Sequence, residues 1–284
     1  MKLHRRWEPR IDRVGNLEVT TTRTREGDIA VPDLNRLGGL EWARRTGGKL
    51  SAAERRRLFG AIAVGQAVNI VGRAKLALGR LPDGALSIDV RDFEPPDSRL
   101  AREAEAACAE QPDLISAHSY RTWMWGMALA ALDRERLDRE LFYCAALVHD
   151  WGATAPVPGE DFTIRGAERA LACAQAAGID PASAELIADG ICCHTTPGVT
   201  VNRDGAIAYY VQYGAMVDGA GLRAWDVAPH NIAEVLRRHP RGPGFKRGLN
   251  DTIKDEARAV PGGRFALLRH CGMTLAVRMA PFKS

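Results

Sequence analysis

The run Leu141-Phe142-Tyr143-Cys144-Ala145-Ala146-Leu147-Val148 ends on His149-Asp150, and this junction limits the folds open to the chain more than any other feature. An uninterrupted apolar stretch belongs inside a protein, here as a buried helix. A carboxylate delivered out of that helix and left unpaired costs several kcal/mol of desolvation, or its pKa moves until the group is neutral. A metal ion removes that cost. The doublet therefore directs the search to further ligands, and His118 and Asp218 are the candidates.

A chain of 284 residues can build one large domain, or one domain with an appended layer. The formal charge of +4 is mild, and its basic residues are dispersed. The cluster Arg55-Arg56-Arg57 reads as the solvated face of a helix, so no nucleic-acid partner is expected. Six cysteines include no CxxC pair, and the adjacent Cys192-Cys193 point to different sides of a helix. Cys108, Cys144 and Cys173 sit in apolar stretches, where a thiol behaves as a small hydrophobe. Lys2, Arg5 and Arg6 are followed by no apolar segment, so no signal peptide is expected. The stretch Phe59 to Leu78 is interrupted by Gln66, Asn69, Arg73 and Lys75, which argues against a membrane span. The expectation is a soluble, reduced, cytoplasmic protein with no membrane partner.

Residues 1–95 read differently from the rest. Leu17 to Thr22 suits a short strand. Ser51-Ala52-Ala53-Glu54 is a capping box that opens a helix carrying Leu58, Ile62, Gly65, Val68 and Gly72 on one face, with Gly79 at its C-terminal end. Pro82-Asp83-Gly84 is a turn, and the alternation Leu86, Ile88, Val90 suits an edge strand. Pro95-Pro96 then marks the expected boundary. Beyond it the pattern is helical, with candidates at about 97–110, 117–132, 138–150, 164–177, 181–194, 205–222, 229–238, 250–259 and 263–279. The class is all-α: a helical bundle over 96–284 with a small irregular N-terminal layer over 1–95. That layer could be a lid, an oligomer surface or a docking segment, and a homo-oligomer stays open.

In the candidate helix from Ile207 to Leu222, residues Ile207, Val211, Gly214, Asp218 and Leu222 fall on a single stripe. Asp218 thus faces the core beside small residues that permit close approach. Taken alone, it could equally be a buried acid paired with an arginine. His118 lies early in its helix and shares a face with Arg121. The doublet at His149-Asp150 follows it.

The order His118, His149-Asp150, Asp218 resembles the HD superfamily, whose metal-dependent hydrolases hold an ion with H…HD…D on a bundle of helices. The resemblance spans roughly residues 97–225 and implies His118, His149, Asp150 and Asp218 as ligands in an HD-domain bundle. His118 to Thr122, Asp161 to Glu168, Ile191 to Thr195, Tyr213 to Gly221 and His239-Pro240-Arg241 are similar to the cyanamide hydratase-like group. That resemblance implies addition of water to a nitrile. Binuclear HD phosphodiesterases carry a histidine where this chain has Phe162, and a later His pair where it has Cys193-His194. This implies a single metal. Nucleotidase-type members place a glutamate where Ala153 stands.

The expected cofactor is one divalent ion, Zn²⁺ first by ligand type, with Fe²⁺, Mn²⁺, Ni²⁺ or Co²⁺ also compatible. Two imidazoles and two carboxylates around it give near-zero net charge, while a phosphate dianion wants extra cations. The stretch Trp151 to Phe162 contains no Lys or Arg. This favours a small-molecule substrate with a carbon electrophile, although Arg121, Arg165 or a residue from the N-terminal part could reverse the preference. His194, on the inward stripe of its helix with Ile187 and Ile191, is the expected proton donor. Asp150 would serve as both ligand and proton acceptor, and Arg121 would brace a ligand carboxylate. Thr154, Phe162 and Trp151 are expected around the substrate pocket. The rival readings are an HD phosphohydrolase acting on nucleotides or other phosphomonoesters, and a degenerate HD module that senses a ligand.

Overall fold

The computed structural model describes residues 9–11, 17–19 and 32–283. The chain divides into Met1–Val31 and Pro32–Ser284. In the first unit, β1 (Pro9–Ile11) pairs antiparallel with β2 (Leu17–Val19), with Arg10 opposite Glu18. The strand expected over 17–22 is thus present at its start, and residues 20–22 lie outside the described residues. The second unit is all-α.

Its helices are α1 (Leu40–Thr46), α2 (Ala52–Ala77), α3 (Arg99–Ala109), α4 (Asp113–Asp133), α5 (Arg139–Val148), α6 (Phe162–Ala177) and α7 (Pro181–Cys193). After them come α8 (Val201–Asp204), α9 (Ala206–Ala220), α10 (Pro229–Arg238), α11 (Phe245–Ala259), α12 (Arg264–His270) and α13 (Met273–Arg278). Local chemistry starts them where the pattern expects. Ser51 and Glu54 close a reciprocal capping box on α2, and the Asp138 side chain accepts from the amides of Glu140 and Leu141 at the head of α5. Pro181 and Pro229 occupy first-turn positions.

Helix α5 is the axis of the unit. Every residue from Leu141 to Val148 is buried, and the helix packs against α3, α4, α6, α7 and α9. Surrounded on all sides, it has no polar face, as its sequence requires. The strongest packing joins α4 to α9. There a Cβ on Gly214 would lie 2.3 Å from the Thr122 carbonyl oxygen, so only glycine admits this approach. A second apolar cluster of Phe245, Leu249, Ile253 and Val277 ties α11 to α13.

Four expectations need correction. The compact unit begins at Pro32 rather than at Pro95-Pro96: Leu40, Trp42, Ala43 and Val90 belong to the main core, so the segment before the prolines is part of the bundle. The region Leu86–Val90 is not a strand but forms two short 3₁₀ turns. Asn231 supplies the bonds a neighbouring strand would have made, accepting from the Val90 amide and donating to the Ile88 carbonyl. On α2 the buried stripe is Leu58, Ile62, Asn69 and Gly72, and Val68 is 51% exposed. The helix expected over 263–279 breaks at Gly272, whose φ of +93° no continuing helix adopts. Among the described residues no helix is long and apolar enough to cross a membrane. All six cysteines are free thiols.

Candidate metal centre

The interior position of α5 brings its C-terminal doublet into the middle of the bundle. His149 caps the helix, and its Nδ1–H donates to the Ala146 carbonyl at 2.7 Å. His194 caps α7 in the same way, donating from Nδ1 to the Ile191 carbonyl at 2.6 Å. His118, from the second turn of α4, donates from Nδ1 to Asp218 Oδ2 at 2.6 Å. Carbonyls and ionised carboxylates only accept, so each ring carries its proton on Nδ1 when neutral and presents a lone pair at Nε2.

Those three Nε2 atoms converge on one carboxylate. His149 Nε2 is 3.3 Å and His118 Nε2 3.6 Å from Asp150 Oδ2, and His194 Nε2 is 3.6 Å from Oδ1. Ligand atoms of His118, His149 and Asp150 lie within 4.8 Å of one another, so this buried group could hold a metal ion. The donor set fits one. Bonds of 2.0–2.1 Å at a tetrahedral angle place two ligands of an ion about 3.3 Å apart, close to the 3.3 and 3.6 Å that separate His149 and His118 from Asp150. In addition, His149 Nε2 is buried without a hydrogen-bond partner, a costly state that a cation would relieve.

Burial alone would push the Asp150 carboxyl up. The imidazoles around it, His149 first, outweigh burial and hold the group well below the usual carboxylate range. For His149, burial pushes the pKa down, but the Asp150 charge more than compensates and the net shift is upward. Burial dominates at His194, whose pKa falls below the ordinary imidazole value and leaves the ring neutral near pH 7.

Asp218 is not where the expected ligand set puts it. The stripe on α9 correctly turns it inward, and it is fully buried. Both its oxygens are taken, however: Oδ2 by His118 Nδ1 and Arg121 Nη2 (2.9 Å), Oδ1 by Arg121 Nε (2.9 Å). It stands behind His118 as the carboxylate that fixes tautomer and ring orientation, a recurrent support for metal-binding histidines. Arg121 has no nitrogen to spare for substrate, since Nη1 is bonded to the carbonyls of His239 and Pro240.

A cavity of about 270 Å³ opens beside the cluster, with His118, Asp150 and His194 at its edge. Of the expected pocket residues, Thr154 is exposed and bonded to the Trp151 carbonyl, and Trp151 donates to Glu110; neither lines the cavity. The 3₁₀ turn after the doublet carries both away from the interior. Phe162 is buried with its ring 5.9 Å from that of His194 and 5.1 Å from that of Phe265, so it supports the wall rather than forming it.

Other contacts around the site are not specified by the sequence, which singles out Arg241 only within the His239-Pro240-Arg241 resemblance. Arg264 binds Asp161, Thr163 Oγ1, Thr196 Oγ1 and the Cys192 carbonyl, clamping the start of α6 to the end of α7 next to His194. Arg241 is buried 3.9 Å from Asp218 and stacks over the Phe245 ring at 4.3 Å, with no hydrogen-bond partner for its three nitrogens. Neither partnership shows a periodic or spaced pattern. In comparison with known proteins, no family model matches this chain, and no curated protein matches its sequence.

Proposed function

We propose that the protein is a metal-dependent hydratase or hydrolase of the HD superfamily, adding water to a small carbon electrophile such as a nitrile, in the manner of the cyanamide hydratase-like group. The observation that carries this reading is the composition of the cavity beside the imidazole cluster. Among the described residues, no Lys or Arg lines it. Phosphoryl transfer calls for cations around the developing charge. Of the nearby arginines, Arg121 is locked on Asp218, Arg165 bonds the Gly152 carbonyl and pairs with Glu160, and Arg241, which has no hydrogen-bond partner, lies against Asp218 and Phe245 and does not line the cavity. A neutral electrophile needs only polarisation and a proton carrier.

His118, His149 and Asp150 would hold the ion, which Zn²⁺ suits by ligand type. When bound, such an ion lowers the pKa of an attached water towards neutrality and polarises the electrophile. Asp218 keeps His118 Nε2 pointed at the site through its bond to Nδ1. His194, with Nδ1 tied to a carbonyl, takes a proton from water at Nε2 and returns it to the substrate nitrogen. Overall the water oxygen goes to carbon, and both its protons finish on nitrogen.

The test is metal analysis and turnover of the wild type and of His149→Ala, against cyanamide, simple nitriles and a panel of phosphomonoesters. The expected outcome is a metal-containing wild type that hydrates a nitrile, and a variant lacking both metal and turnover. Metal and activity retained in His149→Ala end the proposal. Turnover of phosphomonoesters alone moves the protein to the phosphohydrolases, and no bound metal even after supplementation leaves a ligand-sensing module.

A further inference from the structure

The cavity is far larger than a nitrile group needs, and most of its wall is apolar. Ile62 of α2, Met216 of α9, Ile253 of α11, and Phe265 and Leu268 of α12 make it predominantly apolar, while His118, Asp150 and His194 lie at one end. An apolar cavity of about 150 Å³ suffices to bind benzene and otherwise stays dry. At about 270 Å³ this one admits a correspondingly larger body. The side facing solvent is bordered by Val64 and Val68, 66% and 51% exposed, so an entering molecule meets hydrocarbon first.

We infer that the cavity takes the apolar chain or ring of a substrate whose reacting group sits against the imidazole cluster: an aliphatic or aromatic nitrile of roughly ten to eleven non-hydrogen atoms, by scaling from benzene, rather than a minimal one. This rests on the hydratase reading for the identity of the reacting group, but the apolar site itself stands on the cavity alone. No carboxylate, phosphate or ammonium on that body is accommodated. The wall offers no Lys, Arg or Glu among the described residues, and Asp150 is its single aspartate.

Gly65 provides a selective block. It lines the cavity from α2, and a Cβ added there meets nothing within 4 Å, so a large side chain can grow into the space without moving backbone. Val68→Trp, at the half-exposed rim, narrows the entrance without touching the core and serves as the second blocker. The experiment is calorimetric titration of straight-chain nitriles, from acetonitrile to decanenitrile, into the wild type, Gly65→Phe and Val68→Trp, with and without added zinc. Turnover is followed in parallel. In the wild type the dissociation constant should fall about three- to fourfold per buried methylene, levelling off once the cavity is full. In both variants that dependence should flatten, while zinc content stays at the wild-type level.

A wild-type series without chain-length dependence overturns the inference. So does a full dependence retained in both variants, which would place the chain on the exposed apolar side of α2 around Ile70 and Val71. Chain-length-dependent binding without turnover of any nitrile leaves the cavity assignment standing and rejects the hydratase reading. Turnover of acetonitrile with a flat series does the reverse.

Discussion

Replacing Asp218 by asparagine tests the account of the buried charge behind His118. The wild-type carboxylate receives three charged or imidazole donors at 2.6–2.9 Å and has a second guanidinium, Arg241, 3.9 Å away. Asparagine fills the same volume but offers one acceptor oxygen. Its NH₂ opposes either His118 Nδ1–H or an Arg121 N–H, and two buried guanidinium groups are left without a carboxylate. Removing one partner of a buried ion pair costs about 3–5 kcal/mol, because the other charge is left uncompensated. In a domain of this size that corresponds to a fall in Tm of about 6–10 °C. Calorimetry in EDTA at pH 7 reads this apart from metal binding.

The pH dependence has a definite sign. Burial would raise the Asp218 pKa, but the Arg121 charge and the His118 hydrogen bond hold it below the usual carboxylate range. The stabilisation is therefore complete above the unfolded-state value near 3.9 and is lost only as the pH falls through the folded one. The gap between wild type and variant should be constant from pH 8 to 5 and begin to close below about pH 4. Zinc affinity should fall about 10–100-fold, the range for loss of a histidine-orienting carboxylate. A Tm within 2 °C of wild type at pH 7 would refute the reasoning, since it would mean that the two guanidinium groups do not depend on this carboxylate.

Two further outcomes follow from the same structure. Gly214→Ala brings a methyl to 2.3 Å from the Thr122 carbonyl oxygen, where ordinary contact begins at 3.4 Å, so α9 must retreat from α4 by about 1 Å. Overpacking of this kind costs about 1–3 kcal/mol and should lengthen the His118–Asp218 bond one turn away; thermal unfolding and zinc titration should weaken together, and unchanged values of both would contradict the close packing. Glu256→Gln addresses a buried acid whose Oε1 accepts from the Phe162 amide while Oε2 has no partner. Burial, then the Asp161 charge, pushes this acid up to about 7 from an ordinary 4.5. A raised carboxyl favours folding below its unfolded value and loses that advantage as the pH climbs through the folded one, so wild-type stability should drop by up to roughly 3 kcal/mol between pH 4.5 and 8. The glutamine variant should lack that slope in urea unfolding, and parallel pH profiles would count against the assignment.

Most helices were legible because their signals are local. Caps such as Asp138 and Ser51, first-turn prolines, and apolar spacing act within a few residues, so α3 to α7, α9 and α10 fall close to the expected ranges, while the single turn of α8 was not expected. The convergence of His118 with His149-Asp150 was legible only in part: a buried helix must deliver its terminal doublet into the core, whereas His118, early in its own helix, was singled out by its order relative to the doublet and not by any local sign that it faces inward. The burial of Asp218 followed from the α9 stripe, and pairing with an arginine was one of the two readings left open for it, with Arg121 expected to brace a carboxylate; what did not follow was the choice between arginine and metal. A period of 3.6 residues specifies which way a side chain faces, not which of several inward donors captures it. Arg121, fully buried beside it, could not be left unpaired and took the carboxylate. The same limit hid the Asp161–Arg264 clamp, the placement of Asn69 rather than Val68 in the buried stripe of α2, and the plugging of Ile88 and Val90 by Asn231. It also hid the cavity, whose walls come from helices far apart in the chain.

Residue order alone thus dictates where most of the helices begin and stop, and turns Asp218 of α9 inward, since those preferences are settled between near neighbours along the backbone. Packing assigns the partners of buried charges and the shape of the space beside them, because segments distant in the chain compete there for the same few donors in a medium where an unmet charge is too costly to tolerate.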